Sequence, residues 1–282
     1  MTEALTPPDP VVTDTAGGAI GWRGAPAPGY TGPVTHVLLH GIGSGADSWL
    51  TQLRRVAAGE AGPVRVVAWD APGYGRSAHL AEPEPEAAAY GARLWQWLDA
   101  LGATQPVTLA GHSLGALMAA AAARQQPARV ARLVLLSPAQ GYGDADPAVR
   151  AAKRDDRLAT LARLGPAGMA QARSAAMLSP QADPALVAEV ARVMARVDPR
   201  GYTQATHMLA GGRLAVDLAA WSGPALVACG SADSITPPAG CRALAQAAGR
   251  PYVDLGPVGH LCALEGAQAV ARVLGLVPGE TP

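Results

Sequence analysis

This chain of 282 residues contains a serine that has a glycine two positions before it and another two positions after it, a pattern that is typical of a nucleophile. Ser113 is the centre of a G-x-S-x-G run that extends from Gly111 to Gly115. An apolar segment precedes the run and an alanine-rich segment follows it, which predicts a strand, a tight turn and a helix. The glycines let the backbone turn sharply and hold the hydroxyl exposed. Because a hydroxyl alone is a poor nucleophile, the chain must also supply a base, an orienting acid and an oxyanion site.

Short β-rich and helical segments alternate along the chain on both sides of this serine. The β-rich segments are residues 35–41, 64–70, 106–112, 132–138, 224–230 and 251–257, and the helical segments are residues 47–59, 86–101, 114–126 and 238–249. This alternation predicts a mostly parallel sheet that is covered by helices on both faces. Two earlier segments, VVTDTAG and AIGWRG, predict an antiparallel hairpin at the sheet edge.

Residues 139–219 interrupt the alternation, because they contain four helix-like stretches and no strong strand. So long a helical segment exceeds an ordinary connection between strands. We therefore expect a helical cap at 139–219, a core formed by 11–138 and 220–282, and a flexible tail at 1–10. Four methionines of the cap offer adaptable walls to an apolar pocket, although helix packing is the commoner role of any one of them: Met169, Met177, Met194 and Met208.

Composition and charge argue against several classes of function. Lysine plus arginine and aspartate plus glutamate both number 22, and no basic run suggests a nucleic-acid or membrane surface. Three cysteines without C-x-x-C spacing argue against a disulfide framework and a zinc site. The first ten residues lack a signal-peptide pattern, and no apolar stretch reaches the length of about 18 residues that a membrane span needs. We expect a cytoplasmic protein that has no metal, nucleic-acid or membrane partner.

Five motifs follow one another in an order that is specific when they occur together: HGIGSGADSW, WDAPGYGRS, GHSLGA, GSADSITP and GPVGHL. Over roughly residues 11–278 the chain resembles the cap-bearing α/β-hydrolases, a group that includes carboxylesterases, 3-oxoadipate enol-lactonases, cofactor-free haloperoxidases and meta-cleavage product hydrolases. The resemblance implies an α/β fold with a mostly parallel, doubly wound, eight-stranded sheet and an inserted all-helical cap.

The resemblance also implies a catalytic triad. Ser113 would be the nucleophile, and His260, the last histidine of the chain, would be the general base. Asp233 would orient the imidazole, since Gly230–Pro237 matches the pattern G-x-x-D-x-[IVL]-[TV]-P. The competing roles are a helix N-cap for the serine, a packing role for the histidine and a turn role for the aspartate. His112 adjoins the serine, but we expect it to pack rather than act as the base.

By the same resemblance, the segment HGIGSG is the oxyanion loop. The backbone N–H groups of Ile42 and Leu114 would bind the developing oxyanion, and His40 and Gly41 would support the loop. A dinucleotide-binding loop is the rival interpretation. Ala46 stands where G-x-G-x-x-G needs its third glycine, and no acidic residue ends the next strand about 20 residues further on. We therefore expect no cofactor.

The expected activity is that of a serine hydrolase that cleaves a small carboxylic ester or lactone through an acyl-enzyme on Ser113. One alternative is C–C bond hydrolysis of vinylogous diketones from aromatic meta-cleavage, although such relatives often carry Asn where this chain has His112. A cofactor-free perhydrolase or acyltransferase is a third enzymatic interpretation, and a catalytically silent receptor scaffold is the interpretation without an enzyme. The expected partner is a small-molecule ester, lactone or ring-cleavage product, and the chain is expected to be a monomer or homodimer.

Overall fold

The computed structural model describes residues 8–277. The predicted flexible tail at 1–10 lies mostly outside these residues and stays a prediction. Within the described residues the chain forms eight strands: β1 (Val11–Thr13), β2 (Ile20–Pro26), β3 (His36–Leu39), β4 (Arg65–Trp69), β5 (Val107–His112), β6 (Val130–Leu136), β7 (Ala225–Cys229) and β8 (Tyr252–Asp254).

The strands form one sheet in the order β1-β2-β4-β3-β5-β6-β7-β8. β2 runs antiparallel to both of its neighbours, β1 and β4, and every other pair is parallel. All residues of β3 and β7 are buried, as is usual for central strands that are covered on both faces. The mostly parallel eight-stranded sheet is therefore confirmed, together with its antiparallel hairpin at one edge.

Helices cover both faces of the sheet. Their bounds are α1 (Leu50–Ala57), α2 (Ala87–Ala100), α3 (Leu114–Gln125), α4 (Pro147–Arg173), α5 (Pro184–Met194), α6 (Pro199–Gly211), α7 (Leu214–Ala219), α8 (Pro238–Ala247), α9 (Cys262–Glu265) and α10 (Ala267–Leu274). Buried side chains of α2 and α3 pack on one face, and those of α1 and α10 pack on the other. The sequence did not predict α7, α9 and α10 as separate helices.

The segment between β6 and β7 is helical. Residues 137–224 are all described, and they contain α4 to α7 and no strand. α4, α5 and α6 each have proline as their first residue. The N-cap before each proline is an aspartate whose side chain accepts a backbone N–H of the first turn: Asp146, Asp183 and Asp198. α4 bends at Gly165, which has φ 61° and precedes Pro166. The division into a core and a cap at residues 139 and 219 stays a prediction.

Two further observations concern the described residues alone. No helix in residues 8–277 is long and apolar enough to cross a membrane. Nor does this range contain a group of three or more His, Cys, Asp or Glu side chains that is arranged to hold a metal ion. The cytoplasmic location and the monomeric or homodimeric state stay predictions.

Candidate active site

Ser113 lies at the junction of β5 and α3 in a conformation that is rare for a residue with a side chain. Its φ is 52° and its ψ is −116°, and such strain typically marks functional positions. Its backbone N–H donates to the carbonyl of Leu136 at 2.9 Å. Glycine is required on both sides: a Cβ on Gly111 would lie 2.3 Å from the carbonyl oxygen of Gly115, and a Cβ on Gly115 would lie 2.3 Å from that of Leu39.

Asp233 and His260 form a buried pair that is held in a single orientation. Asp233 Oδ1 accepts the backbone N–H groups of Ile235 at 2.8 Å and Thr236 at 2.9 Å, and Oδ2 accepts the Thr236 hydroxyl at 2.8 Å. Oδ2 also lies 3.0 Å from His260 Nδ1. Burial raises the pKa of Asp233, but the hydrogen bond and charge of His260 outweigh it and hold that pKa below its usual range. The carboxylate therefore favours a proton on Nδ1, which leaves Nε2 as an acceptor.

Ser113 and His260 line the same two cavities. His112 positions the segment around His260, because its Nε2 donates to the His260 carbonyl at 2.8 Å. Burial lowers the pKa of His112 to about 3, so its ring stays neutral. Among residues 8–277 no hydrogen bond joins the Ser113 hydroxyl to the His260 ring. Such bonds are often long or poorly aligned until a substrate is bound.

The segment after β3 passes directly beside the serine. A Cβ on Gly41 would lie 3.1 Å from Ser113 Cβ and 3.2 Å from His112 Nδ1. No acceptor in the described part of the chain takes up the backbone N–H of Ile42 or Leu114. Leu114 is the first residue of α3, where a helix leaves its N–H groups unpaired and its dipole favours negative charge. These two N–H groups are thus available to an anion near the serine.

His40 and Asp70 hold this loop in place. His40 Nε2 accepts the backbone N–H of Ala71 at 2.9 Å, and Nδ1 donates to the carbonyl of Gly41 at 2.8 Å. Burial lowers the pKa of His40, in keeping with a neutral ring that both donates and accepts. Asp70 Oδ1 accepts the backbone N–H of Ala46 at 2.8 Å. Both side chains therefore fix the backbone, and neither lines the two cavities that Ser113 lines.

Glu265 carries no sequence motif, yet it ties the helical segment to the loop that contains His260. Its carboxylate accepts the backbone N–H of Ser179 at 2.9 Å, the hydroxyl of Ser179 at 2.6 Å and the N–H of Gly259 at 2.8 Å. Thr236 was also missed by the sequence analysis, although it lies inside the motif that contains Asp233. A hydroxyl three residues after the acid was the available signal for Thr236, whereas nothing local marks Glu265.

Two cavities meet at Ser113. The first has a volume of about 70 Å³, and its apolar lining residues are Ile42, Met177, Val190, Val193, Met194, Leu261 and Leu264. The second has a volume of about 240 Å³; its walls include Tyr142, Leu209, Arg157 and Arg173, and none of its lining residues is a carboxylate. Of the methionines noted in the sequence, Met169 and Met208 line neither cavity and are buried in the core.

The fold and parts of the sequence are similar to those of known hydrolases. The model of the Alpha/beta hydrolase family matches residues 37–273. The enol-lactonase from Burkholderia xenovorans LB400 has a TM-score of 0.80 at 23% identity, over 94% of this chain and 98% of that one. The thermophilic esterase from Thermogutta terrifontis has a TM-score of 0.79 at 24% identity, over 94% and 96%. At such identities the likeness concerns the fold.

Curated relatives match over a shorter part of the chain. The 2-hydroxy-6-oxononadienedioate/2-hydroxy-6-oxononatrienedioate hydrolase 2 of Pseudomonas putida is 36% identical over 118 residues, which are 42% of this chain and 40% of that protein. The matched part of this chain spans less than half the length of the curated relatives that it matches first.

Proposed function

This chain belongs to the Alpha/beta hydrolase family, and on that premise we propose that it hydrolyses a small carboxylic ester or lactone through an acyl-enzyme on Ser113. One observation carries the proposal. The strained Ser113 lines the same two cavities as His260, and the other ring nitrogen of this histidine is held 3.0 Å from the buried carboxylate of Asp233. A nucleophile, a base and an orienting acid are the groups that acyl transfer requires.

The proposed reaction begins when His260 Nε2 takes the proton of the Ser113 hydroxyl and the serine oxygen attacks the substrate carbonyl. The negative oxygen of the tetrahedral species is stabilised by the N–H groups of Ile42 and Leu114, a contribution of about 3 kcal/mol per donor. The protonated His260 then gives its proton to the departing alkoxide, and the acyl group stays on the serine. In the second half, His260 removes a proton from water, which attacks the acyl carbon and releases the acid.

Asp233 supports both halves of this cycle. The imidazolium that forms in each half is stabilised by the carboxylate beside Nδ1. Because the pair is buried, water does not screen this interaction as it would at the surface. The fixed hydrogen bonds to the backbone at residues 235 and 236 keep the carboxylate aligned throughout.

Substitution of Ser113 by alanine tests this proposal. We expect Ser113→Ala to lose at least about 10³-fold in kcat for p-nitrophenyl butyrate, since the covalent step is removed. The fold should survive, because the hydroxyl donates and accepts no hydrogen bond in the described structure. Ser222, an exposed serine that lines neither cavity, is the control, and Ser222→Ala should keep the wild-type kcat. If Ser113→Ala retained more than about a tenth of the wild-type kcat, the serine mechanism would be wrong.

A second candidate is C–C bond hydrolysis of an anionic ring-cleavage product. Arg157 and Arg173 line the second cavity, both are half-buried, and neither has an ion-pair partner within residues 8–277. The Pseudomonas putida relative is named as a hydrolase of a dienedioate, and guanidinium groups are well suited to carboxylates. Side-by-side kcat/KM values for short esters, enol-lactones and dienedioate ring-cleavage products distinguish the two candidates, because the better substrate class identifies the reaction.

A further inference from the structure

The first cavity is built to hold an apolar group of limited length beside the reacting serine. Its volume is about 70 Å³. This volume is small for a ligand pocket, so a short apolar group fits and a bulky one does not. Its apolar walls come from Ile42 after β3, from Met177 after α4, from α5 and from the residues just after His260. Burial of a hydrocarbon chain there is therefore favourable.

The acidic residues that line this cavity do not make it a cation site. Asp47 pairs with Arg23 at 2.6 Å, and Glu189 accepts Arg192 Nε at 2.8 Å. Both carboxylates are also partly exposed, so water screens their charges. With their charges compensated, the remaining surface of the cavity is chiefly aliphatic and thioether.

Met194 lies across from the oxyanion loop. It is the last residue of α5 and is 8% exposed. A Cβ on Gly43 would lie 3.4 Å from its Cε and 3.6 Å from its Cγ, so the thioether rests directly on the loop backbone. It also packs with Ala170, Leu178 and Val190 in a small cluster of its own. The side chain thus fills the space between the loop and the helical segment.

From these contacts we propose that Met194 sets substrate specificity by limiting the length of the unbranched apolar group that enters the first cavity. This inference rests on the proposed hydrolysis at Ser113. The group is a short straight chain, because the cavity is small and its lining is chiefly apolar. Met194 lines this cavity, so its side chain takes up room that a longer chain needs. The polar part of the substrate then lies in the second cavity, beside Tyr142 and the two arginines.

Three variants separate this role from a general loss of packing. Met194→Ala removes the three outer atoms of the side chain and lengthens the cavity. Met194→Leu keeps a similar volume, because leucine and methionine exchange with little disturbance in cores. Met169→Ala removes the same three atoms from another buried methionine, which lies in α4 and lines neither cavity.

The measurement is kcat/KM for two series of esters whose chains have four to ten carbons. In one series, p-nitrophenyl esters, the acyl chain grows; in the other, alkyl acetates, the alcohol chain grows. Each additional buried methylene contributes about fourfold, so three give a ceiling of about sixtyfold. We expect Met194→Ala to raise the ratio of nine-carbon to six-carbon kcat/KM at least about tenfold in one series. The series that responds identifies which half of the substrate occupies the first cavity.

Met194→Leu and Met169→Ala should each leave that ratio within about twofold of the wild-type ratio. An unchanged ratio for Met194→Ala in both series, or an equal rise for Met169→Ala, would overturn the assignment of Met194. If turnover depended on Ser113 but Met194→Ala left the length preference unchanged, the proposed hydrolase activity would remain supported and only the role of Met194 would be wrong. If the wild-type protein cleaved no ester of either series and no lactone, both proposals would be overturned.

Discussion

Replacing Asp233 by asparagine changes the protonation of His260 with little change in shape. The amide oxygen can still accept the two backbone N–H groups that Oδ1 accepts now, at 2.8 and 2.9 Å. The amide NH₂ then replaces Oδ2, which lies 3.0 Å from His260 Nδ1. An N–H donor at that position requires Nδ1 to be the acceptor, so the ring proton moves to Nε2. A protonated Nε2 has no lone pair for the Ser113 proton.

The expected loss in Asp233→Asn is large because both the tautomer and the charge of the pair change. An amide in place of a triad carboxylate lowers kcat by about 10⁴, which corresponds to about 5 kcal/mol in the activation free energy. The assay is p-nitrophenyl butyrate hydrolysis near pH 7.5, with circular dichroism melting to establish that the variant is folded.

A nearby aspartate provides the control for this prediction. Asp254 is the last residue of β8, the neighbour of the strand that precedes Asp233. It accepts the backbone N–H of Gly256 at 2.9 Å and pairs with Arg242 at 3.2 Å. Its side chain is exposed and lies outside both cavities. Asp254→Asn should keep the wild-type kcat. A loss of less than about tenfold in a folded Asp233→Asn protein would refute the reasoning about the tautomer.

Two further predictions concern stability and the close packing of α3 against the end of β3. Burial lowers the pKa of His36 to about 4, and its Nε2 donates to the carbonyl of Leu274 at 3.0 Å. Its contribution to folding is therefore complete above the unfolded pKa of about 6.5 and falls by up to about 3 kcal/mol as the pH drops toward 4. Urea titrations give the free energy of unfolding at pH 7 and at pH 4.5. The difference between these two values should be smaller for His36→Gln than for the wild type, and an equal difference would contradict the role of His36. Gly115→Ala places a Cβ 2.3 Å from the carbonyl oxygen of Leu39, so it should destabilise the protein by about 1–3 kcal/mol and lower kcat. Gly62→Ala, where a Cβ meets nothing within 4 Å, should do neither, and equal effects of the two substitutions would contradict the packing argument.

Local sequence patterns were enough to predict the strands and the sharp turn that position the candidate site. The glycines around Ser113 predicted a sharp turn, and the structure has φ 52° at that residue. The six β-rich segments predicted from the sequence correspond to β3 to β8, because short apolar runs can be buried on both faces only within a covered sheet. The hairpin of β1 and β2 was also predicted, since the intervening glycines permit a tight connection.

Features that depend on contacts between distant parts of the chain leave little local signal. Glu265 acts through Ser179, which lies 86 positions earlier in the sequence. α10 is only eight residues long and follows a glycine, and its burial of Val270 and Leu274 against the sheet compensates for its shortness. The shapes of the two cavities likewise depend on how α4 to α6 pack above the sheet, and no periodicity within these helices specifies that packing.

A covalent bond between Ser113 and the substrate can be detected by mapping the adduct of a fluorophosphonate probe with peptide mass spectrometry. We expect one stoichiometric adduct on residue 113, absent from Ser113→Ala and formed far more slowly in Asp233→Asn. An adduct on another residue, or a wild-type protein that hydrolyses esters while Ser113 stays unmodified, would contradict the covalent role of Ser113.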